Sequence, residues 1–311
     1  MESAKSATKK RLIIFVVLAA AISWSIFLLI PILGLKYQGS GPTVAIVMAG
    51  MFGPSAANIL TRLITKEGFK NMYLRPHFKG HIKQYLLIYF APTALIFVSA
   101  AVYFLIFPTH FDSALTMLNQ SAAASGMRGL TAGNLLLITV LQIIIVGPII
   151  NIVPTMGEEL GWRGYLLPKL RTLLSDRAAL ILTGVIWGLW HTPVIVMGHN
   201  YGTGYAGYPW LGIFMMVVFC AGVVGIIEGY ATIKMNSAIP AAMIHSVINA
   251  GGGLTILLVK GAYNPLLGPA VTGLIGGLPF IIVSVILLIK IGNKISLDKS
   301  GAQTAPSEMT A

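Results

Sequence analysis

The sequence predicts an all-α fold, a polytopic transmembrane bundle of about eight helices around an intramembrane polar cavity. Hydrophobic residues make up 56% of the 311 residues, and charged residues make up only 10%. Soluble domains contain about 25% charged residues, so the composition excludes an ordinary soluble protein. Apolar runs of about 20 residues, long enough to cross a bilayer as helices, recur along the chain. Polar residues on three of the expected helices predict the cavity.

Eight apolar runs give the expected helices. The first run follows a basic N-terminus and continues to about Leu35, which is too long for the apolar region of a signal peptide, so we expect an uncleaved first span. Residues 1–292 are expected to form one membrane domain, with the chemical motifs in 156–249, and 293–311 to form a polar, disordered tail. The expected spans cover residues 12–34, 43–64, 84–107, 134–153, 178–197, 209–232, 238–258 and 268–291.

The fourth hydrophobic stretch is unusually long. It continues for about 34 residues, or about 51 Å as a helix, whereas a bilayer core is about 30 Å thick. We therefore expect a break or a tilt, with Pro148, Pro154 and Gly157 as the candidate positions. A break near Pro154 would expose backbone groups beside Glu158.

Basic residues predict the orientation of the bundle. An even number of spans places both termini on one side of the membrane. If that side is the cytoplasm, 18 of the 21 lysines and arginines lie inside, and only Lys36, Arg128 and Lys260 lie outside. This bias follows the positive-inside rule, so we expect a multi-pass protein of a prokaryotic plasma membrane with cytoplasmic termini. The net charge of +12 is then a topology signal at the lipid bilayer, and we expect no nucleic-acid partner.

Two adjacent carboxylates, Glu158 and Glu159, lie within the apolar sequence. In a helix, Glu159 and Arg163 are spaced i, i+4 on one face and can pair, while Glu158 points about 100° away. An ion pair that only fixes two helices is the alternative interpretation of Glu159 and Arg163. Because a free carboxylate at membrane depth must face protein or a water-filled cavity, we expect Glu158 to mark a functional site.

Three other polar residues lie at a similar depth. With about 1.5 Å of rise per residue, Glu158, His191 and His245 are roughly 15, 21 and 17 Å from the inner ends of their helices. Asn249 lies one turn beyond His245. Unsatisfied polar groups are costly in hydrocarbon, so we expect these side chains, which come from three helices, to converge.

The converging groups fit the chemistry of a hydrolase for an acyl or peptide bond. His245 and Asn249 are spaced i, i+4 and can both donate hydrogen bonds to a developing oxyanion. Glu158 can act as the base that deprotonates a water, and His191 can hold or relay the proton.

Three motifs occur in order along these helices, and together they resemble a known family. The chain is similar to the CAAX prenyl endopeptidase and bacteriocin-processing enzyme family, the CPBP intramembrane proteases. The resemblance is close over about residues 156–249, and earlier helices match only in layout. The motifs are EExxxR at Glu158–Arg163, FxxxH at Trp187–His191, with tryptophan in place of phenylalanine, and HxxxN at His245–Asn249.

The resemblance implies an eight-helix bundle whose cavity opens to the cytoplasmic side. Members of the family include prenyl-protein endopeptidases and bacterial relatives tied to peptide processing or self-immunity, so the particular substrate does not carry over. We expect a protein or peptide substrate that is membrane-associated or lipidated, and prenylation is an option at the level of the family. The implied roles are water activation by Glu158 and His191, an oxyanion site of His245 and Asn249, and support by Glu159 and Arg163.

A zinc site is the less favoured alternative for this cluster. Two histidines and a glutamate could hold zinc with an open fourth position. However, the sequence has no HExxH motif, and Cys220 is its single cysteine. The resemblance implies a metal-independent reaction, so we expect no cofactor.

Two functions other than proteolysis stay open. A proton-coupled transporter would use Glu158, Glu159 and Glu228 as a relay, although the sequence shows no inverted repeat. A catalytically silent immunity or binding protein would keep the bundle and use its loops. Glu228 lies near the inner end of its span, where it could pair with Lys234 or belong to the site.

Overall fold

The computed structural model describes residues 2–37, 41–124, 126, 129–203 and 209–292, with the side chains of Glu2 and Ser3 excepted. The predicted disordered tail, 293–311, lies outside these ranges. Helices dominate them, and Phe111 and Val259 form an isolated β-bridge. The α-helices of the first half are α1 (Glu2–Phe27), α2 (Leu29–Ile32), α3 (Pro42–Gly50), α4 (Gly53–Ile64), α5 (Ile82–Ile106), α6 (Thr116–Ala124), α7 (Ala132–Leu141) and α8 (Gly147–Gly161).

The second half continues with further α-helices, and the described residues include three π-helical segments. The π-helical segments are Gln142–Val146, Trp162–Leu166 and Phe219–Val224, and 3₁₀ turns occupy Pro108–His110 and Leu254–Leu258. The remaining α-helices are α9 (Leu167–Arg171), α10 (Asp176–Trp190), α11 (Thr192–Val196), α12 (Pro209–Val218), α13 (Gly225–Met235), α14 (Ile239–Gly251) and α15 (Leu278–Ile291).

Six helical stretches in the described residues are long and apolar enough to cross a membrane. The prediction of an all-α polytopic bundle is thereby confirmed. The expected fifth and eighth spans are shorter than predicted, because α10 ends at Trp190 and residues 268–277 are not helical. The six stretches are Ala4–Ile32, Pro42–Ile64, Ile82–Ile106, Ala132–Arg171, Pro209–Met235 and Ile239–Leu258, and Leu278–Ile291 is a shorter apolar helix.

The expected break of the fourth stretch near Pro154 is wrong. Ala132–Arg171 is helical over all 40 residues, and α8 passes through Pro154. The departures from α-geometry lie instead in the π-helical segments before and after α8. Proline is tolerated inside membrane helices because neighbouring groups and local π adjustments satisfy the freed backbone.

Glycines allow α8 and α10 to approach their neighbours closely. A Cβ atom at Gly161 would lie 2.4 Å from Cβ of Pro54, so α8 meets α4 almost backbone to backbone. A Cβ atom at Gly188 would lie 2.5 Å from Cα of Val217, which brings α10 equally close to α12. Such separations are below any real carbon contact, so side chains are excluded at both positions. These contacts fix the depth and rotation of α8, which carries Glu158, and of α10, which carries Trp187.

The connections between helices lie at two ends of the bundle, and contacts among them show which connections share an end. At one end, Glu67 pairs with Lys169, and the Ala238 N–H donates to Tyr73 O at 2.9 Å. We call this end, with connections 65–81, 172–175 and 236–238, the basic end. At the other end, which we call the opposite end, Tyr37 contacts His199. The connections there are 33–41, 107–131, 197–208 and 259–277, in so far as they are described.

Candidate active site

One cavity of about 360 Å³ is lined by the polar residues for which the sequence predicts a similar depth in the membrane. Its wall includes Glu158 from α8, His191 from the end of α10, and both His245 and Asn249 from α14. Glu158 is 2% exposed, whereas Asn249 is exposed. The predicted convergence of side chains from three helices is therefore present in the structure.

Trp187 holds the carboxylate of Glu158. Its indole Nε1–H donates to Glu158 Oε2 at 2.7 Å, and both residues are buried. The motif comparison shows only that tryptophan replaces the phenylalanine of FxxxH at this position. The residue type itself could have indicated this hydrogen bond, because tryptophan carries a donor that phenylalanine lacks.

His191 follows the last residue of α10, and this position orients its ring. Its Nδ1 lies 2.9 Å from the carbonyl oxygen of Trp187. A carbonyl only accepts hydrogen bonds, so Nδ1 carries the proton and Nε2 is the atom left for other partners. In the neutral ring Nε2 has a free lone pair, which suits an acceptor of protons.

A chain of buried charged groups lies next to the cavity. Arg163 Nη1 donates to Glu159 Oε1 at 2.9 Å, which confirms the predicted i, i+4 pair. Arg163 Nη2 lies 2.5 Å from Glu228 Oε2. Glu228 thus pairs with Arg163, while Lys234 Nζ lies 5.4 Å from the centroid of the Tyr230 ring. The pairing of Glu228 joins α13 to the π-helical segment that follows α8, and it was not predicted as such.

The same chain reaches His245. His245 Nδ1 lies 3.0 Å from Glu159 Oε1, and an ionised carboxylate only accepts, so Nδ1 carries a proton. The Arg163 guanidinium lies 4.4 Å from the centroid of the Trp187 ring, and this ring also packs edge-on against His245. Trp187 therefore contacts Glu158, Arg163 and His245.

The residues that could hold a metal ion in the structure are not the two histidines and one glutamate that the sequence suggests for zinc. Among the described residues, Glu159, Glu228 and His245 place ligand atoms within 4.8 Å of one another. Arg163 lies within hydrogen-bond distance of both carboxylates, so its guanidinium already supplies the positive charge at this position. A divalent ion there would have to displace Arg163. The absence of a cofactor stays a prediction.

The fold and the cavity define a class, a multi-pass helical membrane protein with an acid, two imidazoles and a carboxamide on one internal cavity. Residues 133–251 match the family model described as type II CAAX prenyl endopeptidase Rce1-like. The predicted resemblance is thereby confirmed for the segment that holds all three motifs.

A curated protein is also similar to part of this chain. The chain is 35% identical over 94 residues to CAAX prenyl protease 2 of Methanococcus maripaludis. The alignment spans 30% of this chain and about a third, 34%, of the relative.

Proposed function

We propose that this protein is an intramembrane endopeptidase. It hydrolyses a peptide bond of a membrane-associated or lipidated protein with a water molecule that Glu158 activates. The observation that carries the proposal is that Glu158, His191, His245 and Asn249 share one cavity within the segment that matches the family. The cavity also has apolar walls, including Met48 of α3 and Met51, which follows α3, and these suit a membrane-anchored segment.

The proposed reaction begins with water between Glu158 and His191. Glu158 takes a proton as the water oxygen attacks the scissile carbonyl carbon, and His191 Nε2 orients the water. The carbonyl π electrons move to the oxygen, which becomes an oxyanion. The intermediate then collapses, the C–N bond breaks, and the leaving amine takes the proton from Glu158.

His245 and Asn249 are the proposed donors to the oxyanion. The Glu228–Arg163–Glu159 chain fixes His245 through Nδ1 and leaves its Nε2 facing other partners. The Asn249 carboxamide lies one turn further along α14. Removal of one such preset donor typically lowers kcat by about a hundredfold or more.

The proposed substrate is a polypeptide that is anchored in the membrane. The matched relative is named a prenyl protease, and we propose prenylated polypeptides as one kind of lipidated substrate for this chain. A comparison of membrane proteomes from a wild-type strain and a Glu158→Gln strain would identify the uncut protein that accumulates.

Purified protein in proteoliposomes provides the direct test. We expect Glu158→Gln and His191→Ala to abolish cleavage of the accumulated protein, and His245→Ala and Asn249→Ala to lower kcat about a hundredfold. His77→Asn, a change at an exposed loop histidine, serves as the control and is expected to retain activity. Cleavage that persists in Glu158→Gln would overturn the proposal, and solute transport without cleavage would favour a transporter.

A further inference from the structure

The connection 65–81, at the basic end, holds large apolar side chains exposed. Phe69, Leu74 and Phe78 are 51, 48 and 56% exposed. None of the three belongs to a helix, so they are not the lipid-facing side of a span. Single exposed apolar residues are ordinary, but several on one short connection are typical of a surface that contacts a membrane or a partner.

Hydrogen bonds fix the main chain of this connection in place. Arg62 of α4 is 3% exposed, and its Nη1 donates to the carbonyl oxygens of Gly68 and Lys70 at 2.9 and 3.0 Å. The hydroxyl of Tyr85, on α5, donates to the carbonyl oxygen of Pro76. A buried guanidinium bonded to main-chain carbonyls is costly to release, so the connection cannot easily turn its apolar side chains inward.

The backbone of the connection is also strained. Tyr73 and His77 have φ values of 56° and 50°, in the left-handed region. Bulky L-residues rarely adopt this conformation, and it persists where the surrounding structure holds it. The fold therefore maintains the conformation that leaves Leu74 and Phe78 exposed.

Basic side chains are interspersed with the apolar ones. Five of them, in the connection and the first turn of α5, are exposed, and none forms an ion pair with another described residue. Glu67, the one acidic residue of the connection, is already paired with Arg11, Arg62 and Lys169. The positive charge beside the apolar side chains is therefore uncompensated. The five basic residues are Lys66, Lys70, Arg75, Lys79 and Lys83.

We propose that the connection 65–81 lies on the surface of the bilayer and binds the headgroups of anionic lipids. It joins α4 to α5, and both belong to stretches that are long and apolar enough to cross a membrane, so it lies at a membrane surface. Its apolar side chains enter the boundary between headgroups and acyl chains, while its basic side chains contact lipid phosphates. This arrangement holds on either side of the membrane, and it does not depend on the proposed protease activity.

Binding at this surface reaches the helix that carries Glu158. A Cβ atom at Gly164 would lie 3.3 Å from Met72 O, so the connection packs against the segment that follows α8. Arg62 Nε donates to Asn58 Oδ1 at 2.8 Å, and Asn58 Nδ2 donates to Leu160 O at 2.7 Å. Headgroups that hold the connection therefore stabilise the fold, and Tm reports their binding.

Thermal unfolding of the full-length protein in detergent tests the proposal without requiring cleavage. Short-chain phosphatidylglycerol is the anionic probe, and phosphatidylcholine of the same chain length is the zwitterionic control. Inorganic phosphate separates a lipid site from a site for the free anion. We expect phosphatidylglycerol to raise Tm by about 3 °C or more, and the other two additives to change it by less than about 1 °C.

Charge variants locate the binding surface. Lys70→Gln, Lys79→Gln and Lys83→Gln, combined in one protein, should raise the phosphatidylglycerol concentration for a half-maximal shift by about tenfold or more. The matched control combines Lys36→Gln, Lys260→Gln and Lys290→Gln, which remove the same charge from exposed positions elsewhere, and should stay within about twofold of the parent. All six side chains are exposed, so both proteins are expected to fold.

Apolar variants test insertion separately from charge. Phe69→Ser combined with Phe78→Ser keeps all five cations and should also weaken the response to phosphatidylglycerol by about tenfold. Equal losses in the two lysine variants would overturn the proposal, because net charge alone would then explain the response. A parent protein that responds equally to inorganic phosphate would overturn it too. So would a parent that responds to neither lipid, which would leave the surface to a protein partner.

Discussion

The indole Nε1 of Trp187 lies 2.7 Å from Oε2 of Glu158. This hydrogen bond joins α10 to α8 inside the bundle, where both residues are 2% exposed. The family motif has phenylalanine at this position, so the donor is a departure of this chain from the pattern. In the proposed reaction, it holds the carboxylate toward the cavity in one orientation.

Trp187→Phe should lower kcat by about tenfold. The change keeps an aromatic ring against His191 and His245 but removes a hydrogen bond to a charged group, which is worth roughly 1.5–3 kcal/mol. Initial rates and Tm would be measured together. Trp190→Phe is the matched control, because Trp190 also lines the cavity and its Nε1 has no hydrogen-bond partner among the described residues. Equal losses in the two variants would show that Nε1 of Trp187 has no special role.

Glu228→Gln should destabilise the protein through Arg163. The variant removes the negative charge 2.5 Å from Arg163 Nη2, and loss of one member of a buried ion pair costs roughly 3 kcal/mol. We expect a lower Tm in detergent. Lys234→Gln, on the same helix but exposed, should change stability by less than about 0.5 kcal/mol.

A double-mutant cycle separates this pairing from general damage to α13. Arg163→Gln and Glu228→Gln should be non-additive, because the second change removes a partner that the first has already lost. Strict additivity would mean that the two side chains do not interact.

Glu67→Gln should give a pH-dependent loss of stability. Burial raises the pKa of Glu67, but hydrogen bonds and charge from Lys169, Tyr165 and Arg62 outweigh it, so the pKa lies below the ordinary value of 4.5. A lowered pKa in the folded state stabilises the protein above the unfolded-state pKa, and this stability is lost as the pH falls through the folded-state pKa. The Tm difference between the two proteins should therefore be full at pH 7 and shrink below about pH 4.5. A difference that stays constant down to about pH 2 would contradict this account.

Gly161→Ala should impair both folding and activity. The new Cβ would lie 2.4 Å from Cβ of Pro54 and 2.6 Å from its carbonyl carbon, so backbone must shift at a cost of roughly 1–3 kcal/mol. Because Glu158 is on the same helix, activity should fall with Tm. Gly222→Ala is the control, since a Cβ there would meet no atom within 4 Å. Similar Tm values for the two variants would argue against close packing of α8 on α4.

The depth of the site could be predicted from the sequence, whereas its cross-helix contacts could not. Helical rise is nearly constant, so counting from the basic ends places Glu158, His191 and His245 in one layer. The contact of Glu228 with Arg163 depends on how α13 is rotated about its axis. Rotation is set by packing such as that at Gly188, and apolar periodicity does not report it where both faces of a helix are hydrophobic.

Local signals also failed where tertiary structure overrode them. Pro154 predicts a break, but α8 continues through it, and the π-helical segments on either side absorb the irregularity. His191 was expected within a continuous span, but α10 ends at Trp190 and the chain turns at His191. The sequence carries a stop signal at this point, because Pro193 follows and proline is common just after the end of a helix.

Buried Trp162, Arg163 and Tyr165 close the basic end beneath Glu158, and the described residues that line the cavity lead only toward the opposite end. Both fragments of a cleaved chain must then back out along the path by which the intact chain came in. A fragment that stays bound blocks the next substrate, so the turnover rate would be set by how quickly the cleaved membrane anchor diffuses into the surrounding lipid.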